Sequence, residues 1–494
     1  MAINPGGSLN SVPSSQKQTL SSNYVDFTSA ATEGWAQQYL PELMEKEAEV
    51  FGPRTISGFL NQVGAEEAMT SDRVIWSEQS RLHISLIGTV DLDGDGAGGG
   101  SSKGQFTVVS DIDGNIAGDG FAIASHGVRK GDIVLLATPG KVSRCRVRLV
   151  TGEYIGLHAY DEDVLTGHSE NPSAATLLVI GSEYKKGDDY DGAATRDANE
   201  PSFKTFTNKP IIMKDYYEVS GSDTSRIGWV EVSSEEGQSG YLWYLKAEAD
   251  TRARFNDYLE MAMLESIPGS NSTNVDGDLG FATDSDAGTE GLFYAIEQRG
   301  NVTTGVTGVN AATDLAEFDA ILAEFDKQGA IEENMLFLNR STSLAIDDML
   351  ASMNSYGAGG TSYGVFDNDE DMALNLGFSG FRRGSYDFYK SDFRYLNDKA
   401  TRGGINDAAG SEALRGVIIP AGSSSVYDQT VGSAVRRPFL HVRYRASQTD
   451  DRRMKTWVTG SVGAATSALD AMQLHFLSER CLVTQGANNF MLMK

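Results

Sequence analysis

The sequence predicts an α+β fold, and three observations predict it. One stretch, residues 240–267, carries an uninterrupted helical pattern. A run of short alternating segments between residues 82 and 180 reads as β-structure. The last 200 or so residues alternate helix-like and strand-like segments without a fixed repeat. Together they describe a small β-barrel or sandwich, a long helix and a mixed lobe.

The longest helical pattern lies at residues 240–267. In GYLWYLKAEADTRARFNDYLEMAMLESI, Leu242, Leu245, Ala249, Leu259 and Ala262 recur at the period of one helix face, with Phe255 beside them. Tyr241, Tyr244, Tyr258 and Met261 form a second apolar strip, and charges fill the gaps. Pro268-Gly269 stops the helix. At 1.5 Å per residue it would be roughly 40 Å long, enough to cross a whole domain. Two apolar strips suggest packing on two sides.

In chain order, residues 1 to about 25 are rich in Ser, Asn and Gln and offer little to bury, so they read as an extended arm. Trp35 to Val50 reads as a short amphipathic helix ended by Gly52-Pro53, and Thr55 to Met69 as a second helical piece. Leu82, Ile84 and Leu86 then alternate with His83 and Ser85. After the glycine-rich loop from Asp91 to Gly104, strands are predicted at Phe106–Val109, Ile133–Ala137, Val142–Val150, Tyr154–Ala159 and Thr176–Ile180, separated by turns such as Pro139-Gly140. Phe203 to Val232 reads as an extended β segment with a bend at Ser220-Gly221, and a polar linker follows Pro268. Leu315 to Gln328 is helical and closed by Gly329. Asn334 to Asn339 is a buried strand. Ser341 or Thr342 can cap a helix running to about Met353. Tyr386–Phe393, Gly416–Ile419 and Phe439–Tyr444 read as strands, Thr466–Arg480 as a last helix and Phe490–Met493 as a last strand.

Composition bounds the function. The 494 residues suffice for two or three domains, and 40% hydrophobic with 22% charged residues is ordinary for a globular chain. Net charge is −27, which argues against wrapping nucleic acid over the whole surface. Two cysteines, Cys145 and Cys481, exclude a disulfide framework and fit buried or free thiols. The N-terminus lacks the basic-then-apolar pattern of a signal peptide, and no stretch approaches eighteen consecutive apolar residues.

Sites of chemistry are sparse. The six histidines fall in no metal-ligand spacing, and no nucleophile elbow, phosphate loop or dinucleotide fingerprint is present. No catalytic residue and no cofactor is therefore assigned. Asp91, Asp93 and Asp95 match the first half of a calcium loop, but its twelfth position is Ser102 where a bidentate Glu is needed, so a solvated loop tip is the plainer reading. Arg144, Arg146 and Arg148 alternate with Cys145, Val147 and Leu149, which places three guanidiniums on one strand face. In so acidic a chain their expected use is ion pairing within or between subunits, with phosphate contact as the alternative. The run Arg436-Arg437, Arg443, Arg445, Arg452-Arg453 and Lys455 poses the same choice.

Three stretches carry a family resemblance: FKTFTNKPIIMKDYYEVSGSDTSRIG before the long helix, ENMLFLNRSTSLAIDDML in the C-terminal half, and LSERCLVTQGANNFMLM near the end. With the order of parts, the chain resembles the major capsid proteins of tailed bacteriophages, of the HK-ninety-seven fold, and within them the crAss-like phage branch. The likeness is strongest over about residues 200–494. It implies an N-arm at 1–60 and an extended loop region at 61–235 carrying an inserted β domain at about 88–195. A peripheral-domain spine helix and joint would occupy 236–289, an axial domain 290–455, and a C-terminal return 456–494. It also implies self-assembly into hexamers and pentamers of an icosahedral head around double-stranded DNA. Expected partners are a scaffolding protein, a portal, and auxiliary or head-fibre (decoration) proteins, without specific DNA binding and without a membrane. The location implied is the virion, after assembly in the bacterial host cytoplasm. Because the arm is short and Met1 is present, a separate scaffolding protein is expected rather than a cleaved segment. Tyr241, Tyr244, Tyr258, Met261, Arg144, Arg146 and Arg148 are the candidate inter-subunit contacts. The alternatives are an encapsulin-like compartment shell, and a secreted β-rich adhesin or glycan hydrolase.

Overall fold

The computed structural model describes residues 65–78, 83, 85–92, 104–111, 126–161, 165, 168, 175–187, 204–222, 231–233, 239–269, 273–280, 287–329, 331–354, 380–406, 413–421, 423–428, 433–461 and 466–494. The helix expected at Trp35–Val50 and the loop positions Asp93 and Asp95 lie outside them. Contacts divide the chain into two compact units, one of residues 77–205 and a larger one of 1–76 with 206–494.

The smaller unit is a closed, all-antiparallel barrel of six strands: β3 (Ser85–Asp91), β4 (Gln105–Asp111), β5 (Asp132–Thr138), β6 (Lys141–Thr151), β7 (Tyr154–Ala159) and β8 (Ala175–Ser182), in the order β3-β4-β7-β6-β5-β8. Two earlier strands, β1 (Ala65–Met69) and β2 (Val74–Glu78), precede it. Alternation places Leu86, Val90, Phe106, Val108, Val134, Leu136, Cys145 and Val147 inside, which removes about 25 cal/mol of unfavourable hydration per Å² buried. Closure abolishes free edges, and register shifts at Ile87/Gly88, Ile133/Val134 and Val147/Leu149 supply local bends. Gly88 is required at its bend: a Cβ there would stand 2.0 Å from the Thr107 carbonyl oxygen and 2.7 Å from the Phe106 ring.

The larger unit continues with β9 (Lys204–Asn208), β10 (Ile211–Ser220), a small hairpin of β11 (Glu231–Ser233) and β12 (Ser239–Tyr241), and helix α1 (Leu242–Glu265). Then come α2 (Thr273–Leu279), α3 (Leu292–Arg299), β13 (Asn301–Thr303), α4 (Ala311–Gln328), β14 (Glu333–Leu338), α5 (Arg340–Asn354), β15 (Gly380–Arg383), β16 (Tyr386–Asp392), α6 (Arg394–Asn397) and α7 (Arg402–Asn406). The chain ends with β17 (Gly416–Pro420), the hairpin β18 (Ser423–Asp428) and β19 (Ser433–Pro438), β20 (Leu440–Arg445), β21 (Lys455–Gly460), β22 (Ala471–Thr484) and β23 (Met491–Met493).

Two sheets organise this unit. The first has the order β1-β20-β22-β10, with β21 also pairing β22. Helix α1 lies on it, with Phe255 and Leu259 against Leu474 and Phe476. The second has the order β13-β23-β17-β14-β16-β15. One of its faces is covered by α4 and α5 through Phe318, Ile321, Phe325, Ile346 and Met349. Its other face shares a core with Met263 and Leu264 of α1, Leu292, Phe293 and Ile296 of α3, and Leu440, Val442 and Leu482 of the first sheet. That double covering explains why β17 is buried at all five positions and reads as a continuous apolar run.

Local signals are kept where side chains can satisfy them. Asn310 caps α4 by accepting from the Thr313 amide at 3.0 Å, and Gly329 ends it with φ +65°. Helix α5 is capped by Asn339, whose Oδ1 accepts from the Thr342 amide at 2.9 Å, rather than by Ser341 or Thr342. Two expected helices are also corrected. Thr466–Arg480 is no helix: residues 471–484 form the fourteen-residue strand β22. The end of the segment expected to be helical at 55–69 is β1, parallel to β20.

Candidate interaction surfaces

The chain leaves and re-enters the larger unit on β2 and β9, which pair with each other. The Trp76 and Phe206 rings lie 6.1 Å apart there. The Arg299 guanidinium stands 4.5 Å from the Phe206 centroid and 5.7 Å from that of Trp76, a cation–π arrangement. It also forks onto Glu290. Asn208, buried, donates to the carbonyls of Leu482 (2.6 Å) and Glu290 (3.0 Å) and accepts from the Glu290 amide (2.9 Å) and Thr289 hydroxyl (3.0 Å). A buried amide with its donors and acceptor satisfied fixes position without a desolvation penalty.

On β6, Cys145 and Val147 point into the barrel, while Arg144 is exposed and Arg146 and Arg148 are half-buried. The row meets an acid of the same unit. Arg146 Nη2 lies 3.4 Å from the Glu183 carbonyl, and the Tyr160 hydroxyl donates to Glu183 Oε2 at 2.5 Å. Desolvation, then the Glu183 hydrogen bond, raises the Tyr160 pKa, and Arg146 works against the shift.

The described C-terminal cations also find carboxylates in their own chain. Arg443 pairs with Glu67 at 2.8 Å, Arg452 with Glu479 at 3.0 Å and Lys455 with Asp450 at 2.7 Å. Arg445 takes Glu479 at 2.7 Å and also Asp72, and Arg453 takes Glu66. Of this run, the side chains of Arg436 and Arg437 lie outside the described residues. The Asp72 hydrogen bond is the first cause raising the Arg445 pKa, whereas burial lowers that of Arg480. The acidic partners were invisible in the sequence because Asp72 and Arg445 are 373 positions apart.

Tyr258 and Met261 are half-buried on α1, and Met261 packs against the core that α1 shares with the second sheet. The side chains of Tyr241 and Tyr244 lie outside the described residues. A surface that sequence reading missed is the first sheet's face opposite α1. Tyr216 of β10, His475 of β22 and Trp457 of β21 stand in register there, with centroids 6.0 and 5.1 Å apart. A pocket of about 450 Å³ lined by Asp450, Arg452, Lys455, Trp457 and Leu477 adjoins it. Reading 466–480 as a helix put His475 on the wrong period.

For chemistry, no group of three His, Cys, Asp or Glu is placed to hold a metal among the described residues. Asp91 is exposed at the end of β3. His168 bridges Thr138 Oγ1 (2.7 Å from Nδ1) and Ser143 Oγ (2.9 Å from Nε2), all three buried. A serine beside an imidazole is one part of a hydrolytic site, but a hydroxyl stands where a carboxylate would orient and stabilise the imidazolium. His126 accepts from the Val128 amide at 3.2 Å and donates to the Gly152 carbonyl at 3.0 Å, and burial lowers its pKa. No described helix is long and apolar enough to cross a membrane.

No protein-family model matches the sequence, and no curated protein matches it. Among solved structures, the chain is similar to one titled Microbacterium phage Oxtober96, at 9% identity over 93% of this chain and 98% of that one, with a TM-score of 0.37. It is similar to the asymmetric unit of the bacteriophage PhiM1 mature capsid at 9% identity, over 63% and 78% of the two chains, TM-score 0.33. The capsid structure of the cyanophage P-SCSP1u matches at 8% identity over 62% and 80%, TM-score 0.31. At these scores the likeness does not establish a shared fold, so the functional reading rests on the chain's own parts.

Proposed function

We propose that this chain is a structural subunit of a viral shell: a major capsid protein of a tailed bacteriophage that self-assembles into the hexamers and pentamers of an icosahedral head around double-stranded DNA. The observation that carries the reading is how the chain is laid out. It leaves on β2, builds a barrel with its own core, and returns on β9 and β10. It then lays a 24-residue helix on a sheet made from its two ends, beside a second α/β lobe. The reading assigns these parts, as the sequence resemblance implies, to an extended loop with insertion, a spine helix, an axial domain and a C-terminal return. The crAss-like stretches make that branch the proposed one.

In a shell each contact need only be weak, because every subunit makes many. A net charge of −27 would limit adhesion to packaged DNA. The partners proposed are further copies of the chain, a scaffolding protein, a portal and decoration proteins. The role is structural rather than enzymatic, and the place is the virion. Electron microscopy of the purified full chain, alone and with the scaffolding protein from its source, tests this. Closed shells are expected. A chain that stays monomeric under both conditions would overturn the proposal, and shells enclosing a cargo enzyme instead of DNA in the source particle would favour an encapsulin-like compartment.

A further inference from the structure

We infer that β1 is a charge-latched strand: it can leave the edge of the five-stranded sheet while the rest of that sheet stays folded. The inference goes beyond the shell proposal and does not depend on it.

Apolar burial holds β1 only weakly. It pairs on one side, in parallel with β20, from Ala65↔His441 to Met69↔Arg445. Of its side chains at 66–69, Met69 alone is buried, and residues 70–73 that follow are exposed throughout. By contrast β10 pairs with β22 over ten residues in a sheet whose opposite side packs Phe476 and Leu474 against α1.

Ion pairs supplement the backbone ladder with β20. Glu67 sits 2.8 Å from Arg443, Glu66 meets Arg453 and lies 3.9 Å from Arg480, and Asp72 meets Arg445. Asp72 is 92% exposed, so solvent and salt screen its pair, whereas Glu66 is 16% exposed and its charge matters more.

The receiving side keeps partners of its own. Arg445 and Arg452 share the buried Glu479. Arg480 donates to Ser478 Oγ and to the Arg453 carbonyl, each at 2.9 Å. Arg453 is half-exposed and lies 5.8 Å from the Tyr444 ring centroid. Departure of β1 therefore leaves Arg445, Arg452, Arg453 and Arg480 paired or hydrated, which favours opening without collapse of the sheet.

Hydrogen exchange read by mass spectrometry on the full-length chain tests the latch. In Glu66→Lys/Glu67→Lys, peptides covering 65–69 should lose protection by at least about tenfold while those of β10 and β22 stay as in the wild type. Adding Arg443→Glu and Arg453→Glu should restore protection, because the charges again oppose. Asp72→Asn should change it by no more than about twofold. The inference is overturned if β1 exchanges at the rate of β22 in the wild type, if β10 and β22 open together with β1, or if the restoring pair fails to restore. Loss of the whole fold in the double lysine variant would also overturn it, since β1 would then be integral to the sheet.

Discussion

Arg299 forks onto Glu290, with Nη1 2.9 Å and Nη2 2.6 Å from its two carboxylate oxygens, and the two side chains are only 16% and 11% exposed. The pair stands where the chain returns from the barrel, under the rings of Trp76 and Phe206. Removing one partner leaves the other charge buried, which costs far more than the pair itself contributes. Glu290→Ala or Arg299→Ala should lower stability by about 3 kcal/mol in urea unfolding, and the Glu290→Leu/Arg299→Leu double variant by clearly less. Equal losses in the single and double variants would show that packing, not charge, matters there.

Phe255 and Phe476 couple α1 to the first sheet, with centroids 6.0 Å apart. Both are almost fully buried. Either one replaced by Ala should cost about 3–5 kcal/mol through lost burial and the cavity left behind. The double variant should cost less than the sum, because the two rings share one interface. Strict additivity in a double-mutant cycle would contradict this packing.

Cys481 is buried, and desolvation pushes its thiol pKa from 9.0 up to about 12, with Arg443 pulling the other way. The folded value is the higher one, so the unfolded chain loses this proton first. The stability it contributes is present below pH 9.0 and falls as pH rises towards about 12. Cys145 is also buried and free. Neither thiol should react with iodoacetamide at pH 9.0 until denaturant unfolds the chain. Alkylation of Cys481 faster than global unfolding would show that this strand opens locally.

Tyr258 is half-buried on α1, and Tyr244 lies roughly four turns towards the helix start. If the strip they belong to contacts a neighbouring subunit, Tyr244→Glu/Tyr258→Glu should leave a soluble folded chain, by circular dichroism, that forms no shells by electron microscopy. Normal shells from this variant would remove the strip from the assembly surfaces.

The sequence by itself determined elements whose signal is local. The barrel strands alternate inward and outward residues, so Phe106–Val109, Ile133–Ala137 and Tyr154–Ala159 could be read directly. The long helix and its stop at Pro268 needed only the 3.6-residue period and a proline. Gly329 closed α4 as read, because only a residue tolerant of positive φ ends a helix that way. Tertiary structure decided the rest, and for one reason: the deciding partner lay far away in sequence. Residues 471–484 contain good helix formers such as Ala471, Met472, Gln473 and Leu474, yet pairing with β10, β20 and β21 and burial under α1 make them a strand. Ion pairing was the expected use of Arg443 and Arg453, but their partners Glu66 and Glu67 became identifiable only when β1 was placed beside β20. Which cation meets which acid, and which face of a sheet is left open, depend on how distant segments pack, and periodicity along the chain holds no record of that.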